Sequence, residues 1–121
     1  MKEKSILVGI CRVGQPMEMK VIVNKLEVMQ EIVAGYLECV QITPDLDLWC
    51  DENGRNKKEF NREIVVSGHV GLYREYIYGN FFVARHDDDG NSTSLQEKNI
   101  EFLQLISDWG LRRVKLSSSR Q

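Results

Sequence analysis

The chain has 121 residues, of which 42% are hydrophobic, and this length and composition suit one domain with a single core. Its formal net charge of −2 gives no overall basic field, which disfavours duplex nucleic acid as a partner. The three cysteines are odd in number and lack CxxC spacing, so a reducing compartment fits better than a secreted disulfide framework. Because no apolar run could span a membrane and no signal peptide is recognisable, we expect a soluble, cytoplasmic protein.

The first half of the chain predicts two β-hairpins with a helix between them. Apolar and β-branched runs flank the turn 14–16 in the first hairpin and the turn 43–45 in the second. Asn24 is followed three residues later by Glu27, as in a capping box, and Gly35 marks the end of the helix. The predicted strands are residues 5–13, 17–23, 36–42 and 46–50.

The second half has a weaker pattern until its last helix. Residues 54–63 lack apolar periodicity and predict a solvated loop, whereas glycines divide residues 64–79 into short strands or irregular chain. The remaining predicted segments are a strand over 80–86, a helix over 95–109 capped by Ser94, a strand over 111–116 and a disordered tail over 117–121. A single domain should therefore occupy residues 1–116.

This order of elements predicts an α+β fold. Hairpins that alternate with two helices favour a mostly antiparallel sheet with both helices packed on one face. The other face is then free for a partner. Tyr73, Tyr76 and Tyr78 lie in the weakly patterned region, and exposed tyrosines concentrate at interfaces.

Several catalytic chemistries have no support in the sequence. There is no GxGxxG after a strand and no GxxxxGK[ST], so neither a dinucleotide-cofactor enzyme nor a P-loop enzyme is indicated. His69 and His86 lack ligand spacing to a cysteine or to each other, and the acidic turn 87–90 lacks the carboxylates of a calcium loop. Each cysteine sits in an apolar pattern typical of an inert thiol. We therefore expect a protein that is not an enzyme and that uses no metal and no cofactor.

The start of the last predicted helix suits ligand binding. Unpaired amides at a helix start attract phosphate, and Asn91, Ser92 and Thr93 add polar groups there. On the preceding strand Phe81 and Phe82 alternate, so one ring should face away from the core and could stack on a nucleobase. Ordinary helix capping and a core phenylalanine explain the same residues. Arg112 and Arg113 follow this helix and offer guanidinium groups, although exposed arginines are commonly only solvated.

Three segments carry a resemblance to a known family: LEVMQEIVAGYLECVQI, CDENGRNKKEFNREI and IYGNFFVARHDDDGNSTSLQEKNIEFL. Over about residues 20 to 106 they resemble a small phage and prophage family long classed as a domain of unknown function. Within it the chain is most similar to the Thoeris anti-defence sponge proteins of the first type. The resemblance implies a homo-oligomer, a dimer or a hexamer, that sequesters cyclic ADP-ribose isomers. These signals, such as glyco-cyclic ADP-ribose, are made by TIR-domain immune enzymes and are bound without cleavage at subunit interfaces.

The resemblance also implies particular site residues. Phe82 matches the ring that stacks on adenine, and Asn91 with Thr93 matches the polar turn that contacts the ligand. Arg112 or Arg113 matches a second stacking element. Family members can also bind cyclic oligonucleotides, such as cyclic di- or trinucleotides, at a separate site. From charge alone we expect that second site at the basic residues Arg55, Lys57, Lys58 and Arg62, which also suit a solvated loop.

Two other functions compete with sequestration. The first is a phage accessory or regulatory domain whose aromatic face binds a host protein. The second is a small hydrolase of cyclic nucleotides, which the lack of paired histidines or metal ligands disfavours.

Overall fold

The computed structural model of the chain describes residues 4–68 and 70–105. The predicted last strand over 111–116, the tail over 117–121, His69 and both Arg112 and Arg113 lie outside the described residues. The elements in chain order are β1 Ser5–Cys11, β2 Glu18–Val23, α1 Leu26–Val33, β3 Leu37–Thr43, β4 Leu46–Asp51, α2 Gly54–Lys57, β5 Phe60–Gly68, β6 Gly71–Tyr78, β7 Phe81–His86, β8 Ser92–Thr93 and α3 Glu97–Leu105.

The strands form two antiparallel sheets. The larger one has the order β2-β1-β7-β4-β3, and the short strand β8 pairs with β7 beyond the end of β1. The smaller one is the hairpin of β5 and β6, which pair from Phe60↔Tyr78 to Gly68↔Gly71. This architecture confirms the predicted α+β class and its mostly antiparallel sheet. The hairpin occupies the region in which only short strands or irregular chain were predicted.

Both faces of the large sheet are covered, as the central strand β7 shows. Its residues alternate between two hydrophobic clusters, and all four from Phe81 to Ala84 are fully buried. We call the cluster that contains Phe82 and the α1 residues Met29 and Val33 the helix-side core. The cluster that contains Phe81 and the hairpin residue Ile77 is the hairpin-side core. Successive side chains of a strand point to opposite faces, so the two cores lie on opposite sides of the sheet.

The two longer helices also lie on opposite sides of the sheet. Met29 and Val33 of α1 belong to the helix-side core, whereas Leu103 of α3 belongs to the hairpin-side core. The prediction that both helices pack on one face was therefore wrong in this detail. The prediction failed because the second face of the sheet is not vacant. The hairpin of β5 and β6 covers it together with α3.

The ends of the helices differ from the predicted caps. Helix α1 has Lys25 at its N-cap without a side-chain cap, and Asn24 instead donates from Nδ2 to the carbonyl of Ser92. Helix α3 begins at Glu97, three residues after the predicted cap at Ser94. The Ser94 hydroxyl accepts a hydrogen bond from the amide of Leu7 at 2.9 Å, so it ties the chain to β1.

Candidate functional site

Phe82 is unavailable to a ligand. Its side chain has no exposed surface and packs in the helix-side core among Ile10, Met29 and Ala84. The expectation that Phe81 or Phe82 faces away from the core was wrong, because the sheet has no uncovered face at β7. The stacking role carried over to Phe82 is corrected to a core-packing role.

The polar turn after β7 is organised by its own hydrogen bonds. The carboxylate of Asp87 accepts hydrogen bonds from the amides of Asp89 and Asn91. The carbonyl of Asn91 accepts a hydrogen bond from the amide of Asp87. Gly90 supplies the left-handed conformation of the turn with φ 83°. Ser92 and Thr93 form the short strand β8. Asn91, Ser92 and Thr93 are therefore neighbours, but the helix start that was expected to present open amides beside them lies at Glu97.

Two of the four basic residues predicted for a second nucleotide site have structural roles. Arg62 is only 3% exposed and donates to the side chain of Asn61 and the carbonyl of Gln15. Lys58 donates to the carbonyls of Val33 and Ala34, each at 2.6 Å, at the end of α1. Neither residue can serve as a solvated phosphate ligand. Arg55 and Lys57, by contrast, are exposed on α2.

Lys58 also neutralises a buried carboxylate. Its Nζ lies 2.7 Å from Oδ2 of Asp51, whose side chain is 1% exposed. Burial alone would raise the pKa of Asp51, but the Lys58 contact, the amide of Asn53 and the charges of Lys58 and Lys57 hold that pKa below its usual value. Asp51 is therefore a buried anion whose charge is compensated within the fold.

A cleft of about 440 Å³ lies between the edge of the large sheet and the hairpin, and we call it the tyrosine cleft. One wall comes from β3 and the end of β4, the other from β6, and α2 closes one side. Its lining residues are Glu38, Cys39, Val40, Gln41, Cys50, Asp51, Glu52, Arg55, Asn56, Tyr73, Glu75, Tyr76, Ile77 and Tyr78.

The aromatic wall of the cleft is held by ring contacts and by a close backbone approach. The guanidinium of Arg55 lies over the ring of Tyr78 at 5.8 Å, and the Phe60 ring meets Tyr78 edge-on at a centroid distance of 5.5 Å. A Cβ at Gly54 would lie 2.7 Å from the carbonyl oxygen of Tyr78, so only glycine lets α2 approach β6 this closely. Tyr73 and Tyr76 remain 46% and 44% exposed, so their rings can accept a ligand.

The rim of the cleft is acidic. Glu38, Glu52 and Glu75 line it without an ion pair in the described part of the chain, whereas Asp51 is paired with Lys58. Arg55 is the one cationic residue among the lining residues. Glu38 and Glu75 come from β3 and β6, so the two walls each present a carboxylate to the cleft.

The thiols at this site are poor nucleophiles. Burial raises the pKa of Cys50 to about 12, and the charges of Glu38, Asp51 and Glu75 and the neighbouring Cys39 add to the effect. Partial burial also raises the pKa of Cys39 to about 12, and the charge and hydrogen bond of Asp47 add to the effect. A thiol in this state carries almost no thiolate near neutral pH.

We expect Cys39 to react slowly with iodoacetamide although it is exposed. At pH 8 its alkylation rate, followed by mass spectrometry, should be at least about tenfold below that of a free cysteine peptide. The Asp47→Asn variant should react faster, because the charge that raises the thiol pKa is gone. Equal rates for the wild type and the peptide would contradict this account of the thiol.

Asp47 also binds His86, a contact that sequence reasoning missed. Nδ1 of His86 lies 2.7 Å from Oδ2 of Asp47, and Asp47 is only 7% exposed. Asp47 thus interacts with both the Cys39 thiol and the His86 imidazole. Activation of a thiol nucleophile needs the imidazole beside the thiol, so this arrangement does not build a catalytic pair. Among residues 4–68 and 70–105, no three His, Cys, Asp or Glu side chains are grouped to hold a metal ion.

The fold and cleft thus define an antiparallel α+β domain with an aromatic, acid-rimmed cleft. The family model described as Domain of unknown function (DUF3846) matches residues 6–108, and the chain belongs to this family. Comparison with the curated proteins and with the solved structures gives no match. Within the described residues, no helix is long and apolar enough to cross a membrane.

Proposed function

We propose that this protein is a non-catalytic phage or prophage protein that sequesters cyclic ADP-ribose-type signals, including glyco-cyclic ADP-ribose, made by TIR-domain immune enzymes. The sequence resemblance supplies the ligand class. The observation that carries the proposal is the tyrosine cleft, which sets aromatic rings, an arginine and hydrogen-bonding carboxylates around about 440 Å³. Small-molecule sites typically measure about 300 to 1,000 Å³. The cleft therefore replaces the surroundings of Phe82 as the proposed site.

The charges of the cleft dictate how such a ligand would lie. Phosphates should lie at the α2 end, near Arg55 and Lys57, because guanidinium and ammonium groups bind them there. The base should stack on Tyr73 or Tyr76. The carboxylate of Glu75 can accept hydrogen bonds from ribose hydroxyls, as acidic residues do in dinucleotide sites. The reverse orientation would place phosphates against the acidic rim.

Sequestration without turnover fits the chemistry of the cleft. Retention of a signal requires tight binding and slow release, and it requires no nucleophile poised beside the ligand. The thiol nearest the floor, Cys50, is buried and has a pKa raised to about 12. Ring stacking and hydrogen bonds therefore remain as the principal contributions to affinity.

The Tyr76→Ala variant tests the site. Calorimetry with cyclic ADP-ribose and with the product mixture of a TIR-domain enzyme should show binding that this change weakens by about 1 to 3 kcal/mol, the range for stacking on a base. Tyr36→Ala is the matched control, since Tyr36 is 67% exposed and does not line the cleft. Equal affinities for the two variants would exclude Tyr76 as the ring on which the base stacks.

The fate of the ligand tests the absence of catalysis. After protein denaturation, mass spectrometry should recover the bound nucleotide intact, and hydrolysed product would instead assign the protein to an enzyme class.

Light scattering at micromolar concentration tests the proposed homo-oligomer, for which a strict monomer is the contrary result. Cyclic oligonucleotides, which the resemblance assigns to a separate site, would share Arg55 and Lys57, the two exposed members of the basic set, with the phosphates in the cleft.

A second candidate function is binding of a host protein by an accessory domain. Outside the cleft lining, the hairpin exposes Phe60 by 50% and Leu72 by 75%. Aromatic residues on an exposed face are typical anchors of protein interfaces. Co-purification of a host protein that Leu72→Ser abolishes, with no nucleotide released on heating, would favour this function over sequestration.

A further inference from the structure

We propose that the acidic rim of the tyrosine cleft is a docking surface for the basic C-terminal segment of the same chain, residues 111–121. The docking is argued from the charges of the rim and the segment and from the unpaired edge of β3. If the proposed function holds, the segment and the nucleotide compete for the same cleft, and this consequence rests on the proposed function.

The rim carries negative charge that the described part of the fold does not compensate. Glu38, Glu52 and Glu75 make no ion pair there, and the guanidinium of Arg55 is engaged over the ring of Tyr78. Glu38 on β3 and Glu75 on β6 both line the cleft, one from each wall. Carboxylates that face each other across a cleft favour a cationic occupant, and exposed tyrosine rings add cation–π attraction.

The edge of β3 suits an extended segment. In the described residues β3 is the last strand of the large sheet and pairs only with β4. Four consecutive β3 residues, 38–41, line the cleft, so the strand edge and not merely one of its faces borders the cleft. An unpaired strand edge can receive another strand through backbone hydrogen bonds. Pockets for alternate side chains of the added strand then determine which sequence binds.

The C-terminal segment LRRVKLSSSRQ has the complementary chemistry. It contains Arg112, Arg113, Lys115 and Arg120, and no acidic residue follows Asp108. The described part of helix α3 runs from Glu97 to Leu105. Leu103 of α3 shares the hairpin-side core with Cys50 and Ile77, which line the cleft. Helix α3, which precedes the segment in the chain, therefore packs on the same core as two residues of the cleft lining.

Limited trypsin digestion of the full-length chain tests this docking. Trypsin cuts after Arg112, Arg113 and Lys115, and a docked segment is protected from it. In the double variant Glu38→Gln/Glu75→Gln the cleavage rate at these bonds, measured by mass spectrometry, should rise about three- to tenfold, the effect of losing two exposed charge pairs. The matched control is Asp88→Asn/Asp89→Asn, which removes two carboxylates from the turn after β7 and should leave the rate unchanged.

Two results would overturn the proposal. The first is a cleavage rate in the Glu38→Gln/Glu75→Gln variant that agrees with the wild-type rate, in a protein whose circular dichroism is unchanged. The second is protection that appears only as protein concentration rises, which would assign the segment to the cleft of a second copy. Because digestion is followed without nucleotide, failure of nucleotide binding does not affect this test. Conversely, a digestion result that rejects docking does not decide whether the cleft of the wild-type protein binds nucleotide.

Discussion

The Phe82→Ala variant should lose about 3 to 5 kcal/mol of its free energy of unfolding, the usual cost of deleting a fully buried phenylalanine ring. The ring has no exposed surface and fills the helix-side core between β1 and α1. Its removal forfeits the burial of an aromatic side chain and leaves a cavity that neighbours such as Ile10 and Met29 fill only partly. Urea denaturation monitored by tryptophan fluorescence measures the change.

Phe60→Ala is the matched control for this prediction. Phe60 is 50% exposed, so its replacement should cost less than about 1.5 kcal/mol in the same experiment. A Phe82→Ala protein with wild-type stability and lost affinity for nucleotide would contradict the core assignment. That outcome would restore the ligand-stacking role for Phe82.

The Lys58→Met variant should also be strongly destabilised, by about 3 to 5 kcal/mol, the cost of breaking a buried ion pair from one side. Lys58 compensates the carboxylate of Asp51, which is 1% exposed, and it caps α1 through the carbonyls of Val33 and Ala34. Methionine keeps most of the aliphatic stem but leaves the carboxylate uncompensated. Lys57→Met is the control, because Lys57 is exposed on the same short helix.

The pH dependence of stability distinguishes this ion pair from simple packing. The pKa of Asp51 is held below its usual value in the fold. A carboxyl group of this kind stabilises the fold above its unfolded-state pKa of about 4 and loses that contribution as pH falls through the folded-state value. In the Asp51→Asn variant, the free energy of unfolding should not show this loss as pH falls. Equal unfolding midpoints for Lys58→Met and Lys57→Met at pH 7 would refute the role of Lys58.

The sequence predicted the elements with strong periodicity and failed where a strand is buried on both sides. Strands β1, β2, β3, β4 and β7 fall where alternation or β-branched runs indicated them. Both faces of β7 are covered by elements distant in the chain, so all four residues from Phe81 to Ala84 are apolar. Such a run has no polar alternation from which the sequence could show that neither face is open. The hairpin of β5 and β6 was missed because its glycines and charged residues obscure the alternation that its inward residues Ile64, Val66 and Ile77 share.

The basic segment 54–63 shows why composition alone could not locate the site. The four cations look equivalent in sequence, yet Lys58 and Arg62 turn inward while Arg55 and Lys57 remain exposed. The inward positions depend on partners far along the chain, Val33 for Lys58 and Gln15 for Arg62. The tyrosines were expected at an interface, but their assembly opposite β3 into a cleft depends on how the hairpin packs on the sheet.

Titration of the protein with cyclic ADP-ribose, observed through its tyrosine ring signals by NMR, tests the central claim most directly. The chain has four tyrosines, of which Tyr73, Tyr76 and Tyr78 line the cleft and Tyr36 does not. If the tyrosine cleft holds the nucleotide, the three cleft signals should shift with ligand while the Tyr36 signal stays in place. Shifts confined to Phe82 and to residues 91–93, with all four tyrosine signals unmoved, would contradict the account.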